Sequence, residues 1–274
     1  MLGHHRPVWA PDDVDIETPS AARMYDYYLG GSHNFAADRE LAEQTIQAWP
    51  DAPHLCRANR ALLRRVVGYL AGGVDQFVDL GSGIPTVGAV HEVARELNPD
   101  ARTVYVDSDA VAVAHSRALL DGVPYAAVVH EDLREPDRVL ADPELTGLLD
   151  LSRPVAVLMF AVLPFVPDED DPAAVVAAYR DATAPGSYLA MSHGTDDYRP
   201  VAAHRVVDVY TRASHSMTLR SRERIGSLLE GYELVPPGLV DMIHWRPEPE
   251  GALPDPLGGD VTRYSMLAAV GRRA

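Results

Sequence analysis

Two periodicities divide this chain of 274 residues. Ahead of residue 72 the apolar positions recur three and four apart, as in Leu62, Leu63, Val66, Val67 and Leu70, which is the spacing of one helical face. This pattern predicts helices near 20–29, 36–49 and 55–70, after a polar, proline-rich segment expected to be a flexible leader over 1–19. Beyond residue 72, short continuous apolar runs of the kind that form strands buried on both faces alternate with helical stretches. Strands are predicted to end at Leu80, Val106 and His130, with two more over 155–163 and 187–192. Helices are predicted over 86–97, over 109–120 and from Pro172, where Asp171 supplies a cap and proline takes the first helical position. Such alternation specifies a parallel, doubly wound sheet. The end of the chain departs from it. The runs 232–242 and 263–270 are joined by the proline- and glycine-rich segment 246–260, which leaves no room for a crossover helix, so the pair is expected to run antiparallel. The predicted fold class is therefore α/β, a doubly wound seven-stranded mixed sheet with its last strand antiparallel. An N-terminal helical cap over 20–72 and a core over 73–274 would form one compact domain.

The most specific chemistry lies at the end of the first strand, in Phe77-Val78-Asp79-Leu80-Gly81-Ser82-Gly83-Ile84-Pro85-Thr86. Gly81 and Gly83 allow positive φ and close approach of a ligand to the backbone, and Thr86 is placed to cap the next helix. A dinucleotide fingerprint would carry glycine where Thr86 stands, which weakens a Rossmann dehydrogenase reading. Asp107 ends the second strand, where a carboxylate can accept hydrogen bonds from both hydroxyls of a ribose. Asp132 follows the third strand, where it can accept the exocyclic amine of adenine. Any one of these acids is equally well a helix cap or a solvated loop residue, and Asp109 reads as a cap. Three acids after three successive strands fit one nucleoside lying across the carboxyl edge of the sheet.

Composition narrows the partners. The net charge of −16 repels a phosphate backbone, so nucleic acid is an unfavoured substrate. Arg57, Arg60 and Arg64 share one face of the third helix, beside Arg65, and are read first as its polar face. The chain has no lysine, which removes Schiff-base chemistry through one, and its single cysteine, Cys56, cannot form an internal disulfide. The longest apolar run, 154–166, is too short for an ordinary membrane span. With no basic and apolar leader at the start, a cytoplasmic protein without a membrane anchor is expected. His4 and His5 lie in the leader and no histidine or cysteine cluster has ligand spacing, so no metal is expected.

Asp79-x-Gly81-x-Gly83 resembles the first motif of class I S-adenosylmethionine methyltransferases. A longer likeness covers the chain from about Pro19. The stretch Pro19-Ser20-Ala21-Ala22-Arg23-Met24-Tyr25-Asp26-Tyr27-Tyr28-Leu29-Gly30-Gly31-Ser32-His33-Asn34-Phe35-Ala36-Ala37-Asp38-Arg39 is similar to the signature of an actinobacterial family of such methyltransferases, formerly catalogued as a domain of unknown function. Further matches are Arg57-Ala58-Asn59-Arg60, the turn from Asp79 to Thr86, Val106-Asp107-Ser108-Asp109, Pro237-Gly238-Leu239-Val240 and Trp245-Arg246-Pro247. One position departs from the family pattern: a histidine there follows Ala-Val-Leu after the fourth strand, whereas here Ala161-Val162-Leu163 leads to Pro164.

The resemblance implies a class I methyltransferase (Rossmann-like) core and S-adenosyl-L-methionine as cofactor. Gly81 and Gly83 would face its methionyl part and Asp79 its amino group. Asp107 with Ser108 would hold the ribose, Asp132 with Leu133 the adenine, and Arg60 the carboxylate. Tyr25, Gly31, Asn34 and Phe35 of the signature would form a lid. His193, at the end of the fifth strand, is the first candidate for a general base and His33 the second; each is equally well a packing or capping histidine. The leading functional reading is a methyltransferase acting on a small-molecule acceptor, for which a second cavity beside the cofactor is expected. A sensor of S-adenosylmethionine or its demethylated product would instead show an exposed apolar patch near the cap. An NAD-dependent oxidoreductase is third. The acceptor's identity and the oligomeric state, a homo-oligomer included, are not legible. Acceptor specificity is expected to lie in the cap, in 198–217 and in 246–260.

Overall fold

The computed structural model describes residues 14–85, 88–247 and 255–274. Three helices come first: α1 (Ala21–Tyr28), α2 (Ala36–Ala48) and α3 (Ala52–Ala71). Strands and helices then alternate through β1 (Gln76–Leu80), α4 (Val90–Leu97), β2 (Arg102–Asp107), α5 (Ala110–Leu119) and β3 (Ala126–His130). Two short helices, α6 (Pro136–Ala141) and α7 (Pro143–Leu148), lead to β4 (Ala156–Phe160), α8 (Pro172–Ala182) and β5 (Tyr188–Gly194). The remainder comprises α9 (Pro200–Tyr210), α10 (Arg222–Ser227), β6 (Tyr232–Leu234), β7 (Val240–Asp241), α11 (Val261–Tyr264) and β8 (Met266–Arg273).

The strands lie in the order β3-β2-β1-β4-β5-β8-β6, with β7 also paired to β8. Neighbours among β1 to β5 are parallel, and β8 runs antiparallel to β5, β6 and β7. The reversed last strand matches the expectation; the count does not. The predicted run 232–242 is divided at Pro236-Pro237-Gly238, where two prolines lack N–H groups for a ladder and Gly238 takes φ of +87°. The described sheet consequently has eight strands where seven were predicted.

Alternation with period two assigns the faces of the sheet. Phe77, Tyr105, Ala156, Leu158, Ala268 and Val270 pack with Leu62, Val66, Val67 and Leu70 of α3. Val78, Val104, Val157, Met159 and Leu267 face the other way, toward Val175, Val176 and Tyr179 of α8. Each fully buried Leu or Val contributes about 2 kcal/mol, so these two layers dominate the stability. Because α3 shares a cluster with the strands, a boundary at residue 72 would cut through a single core. Asp79 follows the parity of Phe77 and faces α3.

The leader is also corrected. Residues 1–13 lie outside the described part, but Val14 and Ile16 are buried against Phe35 and Val111. The Pro19 carbonyl accepts from Ser214 N at 2.8 Å. Packing of residues 14–19 therefore replaces the flexible segment expected there. Thr86 lies outside the described residues; α4 begins after it, and the Glu92 carboxylate accepts from the N–H groups of Gly88 and Ala89 at 3.0 and 3.1 Å. Among the described residues, no helix is long and apolar enough to cross a membrane.

Candidate active site

Between β1 and β4 the strand order reverses, and beyond the carboxyl ends of these parallel strands lies a cavity of about 390 Å³. The two glycines of its floor do different work. Gly81 has φ of +68°, and a Cβ there would stand 2.1 Å from Val162 Cγ2, so this glycine lets the β1 turn pack against the segment after β4. Gly83 has φ of +60° and nothing within 4 Å of the place a Cβ would take. Its side of the turn is an open cradle, and its N–H donates to Asp107 Oδ2 at 2.7 Å.

Asp107 also accepts from Asp109 N at 2.8 Å. Burial pushes its carboxyl up to about 6 despite these donors. Asp79, 4% exposed, is pushed up to about 7, chiefly by burial and further by Asp107, with the Arg60 guanidinium opposing. Two buried acids with raised values hold the cavity ready for a cationic ligand. Asp109 caps α5, as expected, by accepting from Val111 N and Ala112 N. Asp132 lines the cavity in a multidentate pair with Arg134, whose Nη2 donates at 2.6 Å. Burial acts to raise the Asp132 carboxyl, but the Arg134 hydrogen bonds outweigh it and hold the group below its ordinary value. Ser108 and Leu133 line the same end.

On the cap side, Arg60 is turned inward from α3 to line the cavity, which corrects its reading as part of an exposed polar face. Its Nη2 is buried with no hydrogen-bond partner, an orphaned donor pair on a fixed fork. Tyr25 stands beside it on α1; its hydroxyl donates to the Cys56 carbonyl at 3.0 Å and accepts from Asn59 Nδ2 at 3.1 Å. Asn59 Oδ1 accepts from Ser192 Oγ at 2.6 Å, and that hydroxyl accepts from Ala161 N at 3.0 Å. This relay ties α1, α3, β5 and the turn after β4 into one wall.

The rest of the signature serves as support. Gly31, Asn34 and Phe35 do not line the cavity. A Cβ on Gly31 would fall 2.0 Å from Asp26 Oδ1, and Asp26 Oδ2 accepts from His33 N at 2.9 Å and Asn34 Nδ2 at 2.8 Å. The loop thus wraps Asp26, which does line the cavity. Phe35 is buried with Val14 and Ile16, and the His33 ring lies 3.8 Å from that of His115, away from the cavity.

His193 is corrected as well. It is fully buried, its Nδ1 donates to the Gly194 carbonyl at 2.8 Å, and its Nε2 accepts from Arg220 Nη1 at 2.9 Å. Burial lowers its value to about 3. With both nitrogens occupied and no exposure to the cavity, it is a packing residue. Arg220 also donates to the carbonyls of Leu163 and Val166, fastening the turn after β4 to β5.

Two features were not read from the sequence. Arg23, 4% exposed, donates from Nε to Asp38 at 2.9 Å, from Nη1 to Asp109 at 3.2 Å and from Nη2 to the Thr18 carbonyl, joining leader, α2 and α5 at the cavity rim. His215 joins the lining near Asp132 from the segment after α9. A second cavity, of about 120 Å³, lies beside the first, where a small acceptor was expected to be held, and shares Ala21, Tyr25, Ala161 and Phe165 with it. Its other walls include Tyr28, Trp49, Pro164 and Tyr210, so the position where the family pattern carries histidine presents no proton acceptor. Hydroxyls and aromatics inside a helical region give no spacing signal of their own. Among the described residues, no group of histidine, cysteine, aspartate and glutamate side chains could hold a metal ion.

The profile of the S-adenosyl methyltransferase family matches residues 7–274, and the chain belongs to that family. A putative methyltransferase from Thermobifida fusca is 39% identical, with 97% of this chain and 99% of that one covered and a TM-score of 0.89. A DUF574 family protein from Streptomyces avermitilis is 38% identical over 95% of this chain and 99% of that one, with a TM-score of 0.89. The N-methyltransferase NodS from Bradyrhizobium japonicum, in complex with S-adenosyl-L-homocysteine, shares the fold at 14% identity, with 92% and 98% covered and a TM-score of 0.50. Among curated proteins, none matches the chain significantly. The protein is an S-adenosylmethionine-dependent methyltransferase, as family membership establishes, and its cavity suits that cofactor. The unpartnered Arg60 donors want a carboxylate, the Gly83 cradle has room for one, and the buried acids favour a cation.

Proposed function

We propose that this methyltransferase acts on a small-molecule acceptor held beneath the helical cap. The observation that carries this reading is the second cavity, which meets the first at Tyr25, Ala161 and Phe165. S-adenosylmethionine supplies a methyl group activated by its sulfonium. In this proposal the chain's residues bind and orient. Arg60 pairs with the methionine carboxylate, Asp79 with the ammonium and Asp107 with the ribose hydroxyls, while Asp132, oriented by Arg134, takes the adenine amine. With the cofactor held in that polarity by these residues, an acceptor in the second cavity would lie across the shared wall from it, and alignment with exclusion of water would supply most of the rate.

The acidic balance of the chain, −16, agrees with a small acceptor rather than bulk nucleic acid, and the reading assigns the reaction to the cytoplasm. Incubation with methyl-labelled S-adenosylmethionine and a cell extract, followed by separation by size, tests it. Label is expected in the small-molecule fraction; label confined to protein or nucleic acid would overturn the proposal.

A further inference from the structure

The second cavity carries a more specific conclusion, which rests on the small-molecule reading above. None of its lining residues is Asp, Glu, Lys, Arg or His. Its hydroxyl and indole groups each have a partner inside the protein, and none of them carries a charge. Tyr25 Oη donates to the Cys56 carbonyl, Trp49 Nε1 to the Arg263 carbonyl at 2.9 Å, Thr45 Oγ1 to the Leu41 carbonyl at 3.2 Å and Ser265 Oγ to the Thr262 carbonyl at 2.9 Å. Thr195 Oγ1 accepts from Asp197 N at 3.2 Å, and the Tyr28 and Tyr210 hydroxyls lie 3.4 Å from each other. Burial raises Tyr25, Tyr28, Tyr210 and the Cys56 thiol above their ordinary values, so none is a base at neutral pH.

An ion entering such a pocket would lose its hydration with nothing in exchange. A phenol or carboxylic acid would find no group on these walls to take its proton. A neutral lone pair meets neither obstacle. The aromatic walls, Phe165 and Tyr210 with ring centroids 5.6 Å apart among them, also favour the positive charge that methylation of such a lone pair creates.

We propose that the acceptor is an uncharged aromatic heterocycle of about one or two rings that attacks through a pyridine-type ring nitrogen. The nitrogen lone pair forms the new bond to the methyl carbon as the carbon–sulfur bond breaks and leaves its electron pair on sulfur. The positive charge passes to the heterocycle, no proton moves and no base is needed. The product is a quaternary cation, whose charge the aromatic walls offset in part and water offsets more fully, so it leaves the pocket.

The test uses the full chain saturated with S-adenosylhomocysteine and three probes of similar shape: quinoline, 1-naphthol and 2-naphthoate. Binding is read by titration calorimetry. Quinoline and 1-naphthol are expected to bind, and the anionic naphthoate about 100-fold more weakly. With S-adenosylmethionine, mass spectrometry should find N-methylquinolinium and no naphthyl ether or ester. Val206→Trp and, separately, Met217→Trp fill the cavity and should abolish quinoline binding while leaving S-adenosylhomocysteine affinity within about twofold; either variant that folds suffices. Methylation of 1-naphthol or 2-naphthoate without that of quinoline would overturn this inference and leave the small-molecule reading standing. Failure of quinoline to bind the loaded protein, or to be methylated once bound, would also overturn this inference, whereas the small-molecule reading falls only if the extract yields no labelled small molecule.

Discussion

The two cavities that meet at Tyr25, Ala161 and Phe165 are built by opposite rules. The larger takes the groups of its sheet edge from short contiguous segments where parallel strands end, Asp79 to Gly83, Asp107 to Asp109 and Asp132 to Arg134, with Arg60, Tyr25 and Asp26 added from the helical cap. The smaller is assembled from side chains of α1, α2, α3, the turn after β4, α9 and β8, far apart in the chain, and carries no charged residue. A cofactor of constant shape can be met by local turns. An acceptor is met by a wall with no local pattern, which can be rebuilt without disturbing the sheet.

The contrast breaks most severely at Asp107. Replacing it with Ala removes the proposed ribose partner and strands the N–H groups of Gly83 and Asp109, so S-adenosylhomocysteine affinity should fall at least ~100-fold by titration calorimetry, with quinoline binding to the apo protein unchanged. The glycine pair sharpens it next. Gly81→Ala forces a Cβ into Val162 and should cost about 3 kcal/mol in denaturant unfolding. Gly83→Ala meets no protein atom and should cost only about 1 kcal/mol, yet weaken the cofactor ~10-fold because its methyl enters the cradle. Arg60→Gln keeps a donor but loses the charge and fork, and should weaken S-adenosylhomocysteine by about 10-fold.

The smallest effect is a pH dependence. Asp79 and Asp107 have folded values near 7 and 6, above those of the unfolded chain. The stability that this protonated pair contributes is complete below pH ~4 and is lost as pH rises to about 7. Asp79→Asn should flatten that decline in thermal unfolding of the apo protein between pH 5 and 8. Binding of the cofactor's ammonium beside Asp79 should release a fraction of a proton at pH 7, read from calorimetry in buffers of different ionisation enthalpy.

The acids that line the larger cavity were legible because each sits where an apolar strand meets a turn, and both signals are local. Gly81 shows the limit of that legibility. It was recognised as a special position, but its partner, Val162, belongs to a segment brought near only by β1–β4 pairing. His193 shows a stronger limit. Its place at a strand end suggested a base, and only the Arg220 guanidinium against Nε2 and complete burial disclose a neutral packing residue. Gly31, Asn34 and Phe35 were read as a lid because they share a signature with Tyr25, but the chain turns around Asp26 and places them behind it.

By itself the sequence determined the succession and direction of the main strands and the reversed strand at the end, since these follow from periodicity and connection length, while the cofactor class was implied by its likeness to a methyltransferase family. Only the tertiary structure decided that residues 14–19 pack as part of the fold, that Arg60 points inward, and that a cavity free of charge lies against the cofactor site. Burial and approach between distant segments are properties of the folded whole, and they set whether a titratable side chain is a ligand, a base or a brace.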